Sequence, residues 1–134
     1  MAALVVVVVA VPMVYAVDAG ANVPNDGVCE STEVCVWKDS GYSGGKLDWD
    51  ANDLHYSNNN FFNTATTVHD EVSSVRNKGT SCNVRMYVDD DQQGSSFLLY
   101  RPGIGMTPTE DGNLDATPNP SGFNDALDSH KWCP

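Results

Sequence analysis

The stretch Trp37-Lys38-Asp39-Ser40-Gly41-Tyr42-Ser43-Gly44 decides the fold: an aromatic, four spacers, a second aromatic, one spacer and a glycine. It returns as Tyr87-Val88-Asp89-Asp90-Asp91-Gln92-Gln93-Gly94, with Gln92 where Tyr42 stood. An internal repeat of this kind outranks any single motif as an organising signal. Around the first copy, Val34, Val36 and Lys38 fall on one side of an extended chain and Cys35, Trp37 and Asp39 on the other, and Lys46-Leu47-Asp48-Trp49 alternates as well. Such alternation marks strands. Gly41, Gly44 and Gly45 allow positive φ between the two runs, so the reading is a folded hairpin with Tyr42 laid against Trp37.

Helix signals are weak, and Gly, Asn, Ser and Thr punctuate the chain about every ten residues, which suits short antiparallel strands in a β-sandwich. Leu54–Thr67 is expected as a polar connection with a helical turn near Asp53 and Leu54, and Pro102–Pro120 as an irregular, exposed one. Each long connection holds the same place in its repeat. Trp37, Trp49, Tyr87 and Phe97 are expected in the core, and Trp132 over the disulfide of its neighbour Cys133.

Residues Met1 to about Ala16 carry no charge and contain the unbroken run Val5–Val9. A membrane-spanning helix needs about 20 apolar residues. The segment therefore reads as a secretory signal peptide spanning 1–21, with cleavage near 16–21, although it lacks a basic start. The remainder, 22–134, is one domain's length, with motif one at about 29–79 and motif two at about 80–134. A secreted protein, monomeric and not membrane-bound after cleavage, is the expectation.

The chain carries 18 acidic against seven basic residues, a formal charge of −11. Nucleic acid is thereby excluded as a partner, because phosphate neutralisation needs a basic surface. Four cysteines behind an export signal read as two disulfides. Of the three pairings, Cys29–Cys35 and Cys82–Cys133 are favoured: the first closes a tight loop before the first strand, the second ties the start of motif two to the chain end. A zinc site is the rival reading, but no CxxC pair is present. His55, His69 and His130 stand in no nucleophile or metalloprotease motif, so no catalytic residue is expected and the protein reads as a non-enzyme.

After each long connection comes a second shared signature, His69-Asp70-Glu71-Val72-Ser73-Ser74 and Asn124-Asp125-Ala126-Leu127-Asp128-Ser129. Both are compact sets of oxygen donors, and calcium takes six to eight oxygens at roughly 2.3–2.6 Å. The hairpin motif followed by such a loop, twice over, resembles the βγ-crystallin domain, two Greek-key motifs packed as a sandwich, over Cys29 to Cys133. More narrowly, the Cys-x5-Cys opening and the late cysteine resemble the secreted bacterial peptidase-inhibitor family typified by the actinomycete metalloproteinase inhibitor.

The βγ-crystallin resemblance implies a calcium site made of Asp70, the Glu71 carbonyl and the Ser73 hydroxyl, completed by Asp89 or Asp90. It implies a second, opened by Asn124 and made of Asp125, the Ala126 carbonyl and the Asp128 carboxylate, completed by Asp39 or Ser40. His69 departs from the expected Asn or Asp, and Asp128 from Ser or Thr. The serine at position 73 alternatively only hydrogen-bonds the folded hairpin. The family also implies a peptidase inhibitor acting on an extracellular metalloprotease through an exposed loop, for which Gly103-Ile104-Gly105-Met106-Thr107 is the candidate. The alternatives are a calcium-binding extracellular module, and a carbohydrate or cell-wall binder stacking sugars on Tyr56, Phe61 and Phe62.

Overall fold

The computed structural model describes residues 23–115 and 122–134. The expected signal peptide, and the end of the second long connection, lie outside them. Seven strands follow in order: β1 Val34–Asp39, β2 Ser43–Trp49, β3 Ser74–Asn77, β4 Val84–Asp89, β5 Gln93–Leu99, β6 Glu110–Asp111 and β7 Ser129–Trp132. They form two antiparallel sheets, ordered β2-β1-β3-β6 and β5-β4-β7.

The sequence repeat is a repeat of register. In the first hairpin Val34 faces Trp49 and Val36 faces Leu47; in the second Val84 faces Leu99 and Met86 faces Phe97. Both hairpins slip at the same place, between Trp37 and Asp39 and between Tyr87 and Asp89. The slip lets each connection fold back over its strand. The last strand of each repeat then docks alike on the first, Trp37 opposite Ser74 and Tyr87 opposite Ser129.

Neither sheet is completed by its own repeat. β6, from the second repeat, pairs with β3 of the first through Val75–Asp111 and Arg76–Glu110. Reciprocally, Asp53 of the first repeat bridges to His130 in β7. This exchange puts Val34, Val36 and Val75 of one sheet in the same buried cluster as Val84, Met86 and Leu99 of the other. Apolar burial of this kind stabilises by about 25 cal/mol per Å².

Two expectations about the connections are corrected. The helical turn lies at Tyr56–Asn58, not at Asp53 and Leu54. The segment is not simply polar either, since Tyr56, Phe61 and Val68 are fully buried and the Tyr56 ring stacks on Trp49 at 4.9 Å. In the second connection Glu110–Asp111 forms a strand and Leu114 is buried, so the described part of Pro102–Pro120 is more than an irregular loop. Both segments have to cap the sandwich core, and they do so with single apolar anchors spaced too far apart to register as a periodic pattern.

Both favoured disulfides form, with Cα separations of 5.8 Å for Cys29–Cys35 and 5.0 Å for Cys82–Cys133. Trp37 and Trp49 are buried, while Phe97 and Trp132 are partly buried against the core. Tyr87 is only half-buried.

Candidate functional site

The hairpin corners come first, because they place the loops. Tyr42 meets Trp37 edge-on, ring centroids 5.3 Å apart, and Arg76 lies 4.2 Å over the Tyr42 ring while pairing with Glu110 of β6. Tyr42 sits at φ +59° and Gln92, its counterpart, at +61°. Left-handed backbone at non-glycine residues is held only when its surroundings insist. Ser74 does so: its hydroxyl donates to the Asp39 carbonyl (2.8 Å) and accepts the Tyr42 N–H (3.1 Å). Ser129 repeats the arrangement with the Asp89 carbonyl (2.6 Å) and the Gln92 N–H (3.0 Å).

The hairpin-bonding serine is therefore Ser74, not Ser73. Asp39 and Asp89 belong to the same structural device. A side chain at Gly44 would come within 2.3 Å of the Asp39 carboxylate, and one at Gly94 within 2.2 Å of the Asp89 carboxylate, so each acid lies over its glycine. Ser40 also stays in its hairpin, its carbonyl accepting the Ser43 hydroxyl at 2.8 Å.

The two signature loops meet at the junction of the repeats, but not in the grouping expected. Asp70 comes together with Asp128: His69 stands between them, Nδ1 at 2.5 Å from Asp128 Oδ1 and Nε2 at 3.4 Å from Asp70 Oδ2. Ser73 instead meets Asp125, its hydroxyl donating at 3.4 Å. Each cluster thus draws side chains from both repeats. Glu71 turns away to pair with Lys38, which is held protonated first by that hydrogen bond and then by the charges of Glu71, Asp39 and Asp125.

His69 is the residue the sequence reading undervalued. Burial disfavours its charge, but the Asp128 hydrogen bond and the charges of Asp128, Asp70 and Asp90 outweigh it and raise its pKa. Asp128 is pushed up by burial and by Asp70, with His69 pulling it back. Asp90 points another way, to within 3.5 Å of His55, whose other ring nitrogen lies 3.4 Å from Asp91.

Calcium fits this donor chemistry poorly. At the first cluster an imidazole occupies the space between the two carboxylates, and calcium is an oxygen-binding ion. At the second, the carboxylate of Asp125 already accepts from Ser73 and from the Asn124 amide (2.9 Å), with the Lys38 ammonium group in its field. Ala126 is half-buried between them in sequence.

The loop candidate is placed differently. Its stem is tied by the Tyr100 N–H to the Pro108 carbonyl (2.8 Å), by the Arg101 N–H to Asn83 (3.0 Å) and by the Arg101 guanidinium to the Thr80 carbonyl (3.1 Å). Its tip stands clear: Met106 is 48 % exposed, Ile104 is half-buried, and an added Cβ at Gly103 or Gly105 would meet nothing within 4 Å. Neither apolar side chain belongs to the core cluster. Of the aromatics considered for sugar stacking, Tyr56 and Phe61 are core residues and only Phe62 is exposed.

Two repeats that exchange their third extended segment, with folded hairpins pinned by serines, form the βγ-crystallin fold. The chain superimposes on a structure described as "Evolution of the eye lens beta-gamma-crystallin domain fold" with TM-score 0.60 at 21 % identity, covering 79 % of this chain and 92 % of that one. A βγ-crystallin from Ciona intestinalis matches with TM-score 0.53 at 20 % identity, over 74 % of this chain and 96 % of that one. A βγ-crystallin domain from Flavobacterium johnsoniae gives 0.54 at 20 % identity, over 74 % and 91 %. No curated protein sequence matches the chain. Peptidase inhibitor family I36 matches residues 23–99, and the chain belongs to that family.

Proposed function

We propose that the protein is a secreted inhibitor of an extracellular metalloprotease and docks through Gly103–Thr107. Membership of a peptidase-inhibitor family supports a protease as the partner in general. Two disulfides suit an oxidising, extracellular setting.

The observation that carries the loop assignment is the contrast between its braced stem and its free tip. Hydrogen bonds at residues 100, 101 and 108 fix the stem, while Met106 projects an apolar side chain from an otherwise polar surface loop. A loop ordered before binding loses less entropy on association, so more of its contact energy appears as affinity. Met106 is the side chain offered to an apolar specificity pocket, and Ile104 supports it from the half-buried side.

The test is inhibition of a thermolysin-type metalloprotease and, in parallel, a trypsin-type serine protease. Inhibition of the first, with Met106→Asp raising the inhibition constant at least about tenfold and leaving the melting temperature unchanged, is the expected result; about 1.4 kcal/mol suffices for that factor. Full inhibition by Met106→Asp, with loss in Phe62→Asp, would move docking to the loop carrying Phe62. Inhibition of the serine protease alone would overturn the metalloprotease assignment.

A further inference from the structure

We propose that the junction of the two repeats binds one borderline divalent cation of the zinc class through His69, Asp70 and Asp128. The site is independent of the inhibitor reading and differs from a calcium site in its donor set. The three residues offer one imidazole nitrogen and two carboxylate oxygens, all within 4.8 Å of one another. Ligands about 2.0–2.1 Å from a tetrahedral zinc ion are about 3.3 Å apart. Rotations of exposed side chains close that difference.

The backbone beneath these ligands is already fixed. The Asp128 N–H donates to the Tyr87 carbonyl at 3.0 Å, and the His69 N–H to the Thr67 hydroxyl at 3.1 Å. Asp128 anchors the base, with its side chain 10 % exposed, whereas His69 (41 %) and Asp70 (56 %) remain open to solvent. An ion can therefore enter from one side.

One further oxygen lacks a partner nearby. Asp90 lies close enough for its charge to act on His69, and its Oδ1 is shut off from solvent without a hydrogen bond. A metal held by His69, Asp70 and Asp128 adds a counter-charge to the field that Asp90, turned toward His55, shares with His69.

Selectivity follows from the nitrogen. Imidazole with carboxylate suits zinc and its neighbours, whereas calcium draws on oxygens alone. The twin cluster of Ser73, Asn124 and Asp125 supplies no imidazole, and His55 with Asp90 and Asp91 does not converge as closely, so among the described residues one ion per chain is expected. The formal charge of −11 raises the local concentration of any cation.

The experiment is calorimetric titration of the oxidised, chelator-stripped full chain near neutral pH with zinc sulfate and, separately, calcium chloride. A cobalt(II) titration is read by visible absorption. The proposal expects one zinc equivalent, a cobalt spectrum that zinc quenches, and no displacement by a hundredfold excess of calcium. His69→Ala and Asp128→Asn should each weaken zinc at least about tenfold, while Asp125→Ala and His55→Ala leave it unchanged. Absence of zinc binding and of a cobalt spectrum in the unmutated chain would overturn it without recourse to any variant. So would calcium binding as tight as zinc, or loss of zinc in His55→Ala with retention in His69→Ala.

Discussion

Replacing Ser74 by alanine tests the central structural claim, that one buried hydroxyl holds the first hairpin in its folded form. Ser74 is fully buried and its oxygen makes two hydrogen bonds, donating to the Asp39 carbonyl and accepting the Tyr42 N–H. Each such bond contributes about 1 kcal/mol net, and a backbone group left without a partner costs about 1–3 kcal/mol. Tyr42 also sits at φ +59°, a left-handed conformation that the Ser74 hydroxyl helps to hold beside the Trp37 and Arg76 contacts to its ring. The sum is a loss of about 2–4 kcal/mol. For a domain of this size, at about 4–8 °C per kcal/mol, the melting temperature should fall by roughly 8–30 °C.

Ser73→Ala is the control, because its hydroxyl makes a single 3.4 Å contact to Asp125 and should cost about 0.5 kcal/mol or less. Thermal and urea unfolding of both variants, with Ser129→Ala as the symmetry-related case, separates the alternatives. Equal, small losses for Ser73→Ala and Ser74→Ala would refute the hydroxyl lock.

Titration of buried groups adds two further expectations. His130 is fully buried, accepting from the Tyr56 hydroxyl at Nδ1 (2.9 Å) and donating from Nε2 to the Ala51 carbonyl (2.7 Å), and burial lowers its pKa from 6.5 to about 4. A depressed folded value means that its contribution is complete above 6.5 and is lost as pH falls toward about 4, amounting to about 3 kcal/mol. His130→Gln should remove that slope from a stability–pH curve measured by urea unfolding, and an unchanged slope would contradict it. Glu33 and Asp48 behave oppositely: both are fully buried, each has one carboxylate oxygen without a partner, and burial raises both pKa values. Their contribution is present below the ordinary carboxylate range and lost as pH rises through the raised values, at about 1.4 kcal/mol per unit. Glu33→Gln should therefore stabilise the protein at neutral pH and lose that advantage in acid, whereas equal destabilisation at both pH values would show that the carboxyl is needed ionised.

How far the site was legible depended on distance along the chain. Local chemistry was readable: glycines at 44 and 94 with an acid five residues earlier dictate a folded hairpin, and both copies adopt it with the same register. Phe61 and Phe62 show the limit of local reading. The two neighbours are chemically alike, yet one is 1 % and the other 41 % exposed, and only the direction of the chain beneath them decides which.

What the sequence by itself determined is the repeat, the strand alternation and turns, the acidic balance and a preferred cysteine pairing, all consequences of side-chain size, φ preference and spacing. The tertiary structure alone decided which repeat completes which sheet. The Gly41 N–H donates to Gly112 of the second repeat (2.7 Å), and the Asp91 N–H to Leu54 of the first (2.9 Å), so each hairpin is closed by the other repeat's exchanged segment. That exchange separates Asp70 from Ser73 and Asp125 from Asp128, and brings His69 between Asp70 and Asp128 instead. No local signal encodes it. Contacts between residues 59 positions apart, as His69 and Asp128 are, form only when the whole sandwich has buried its shared core.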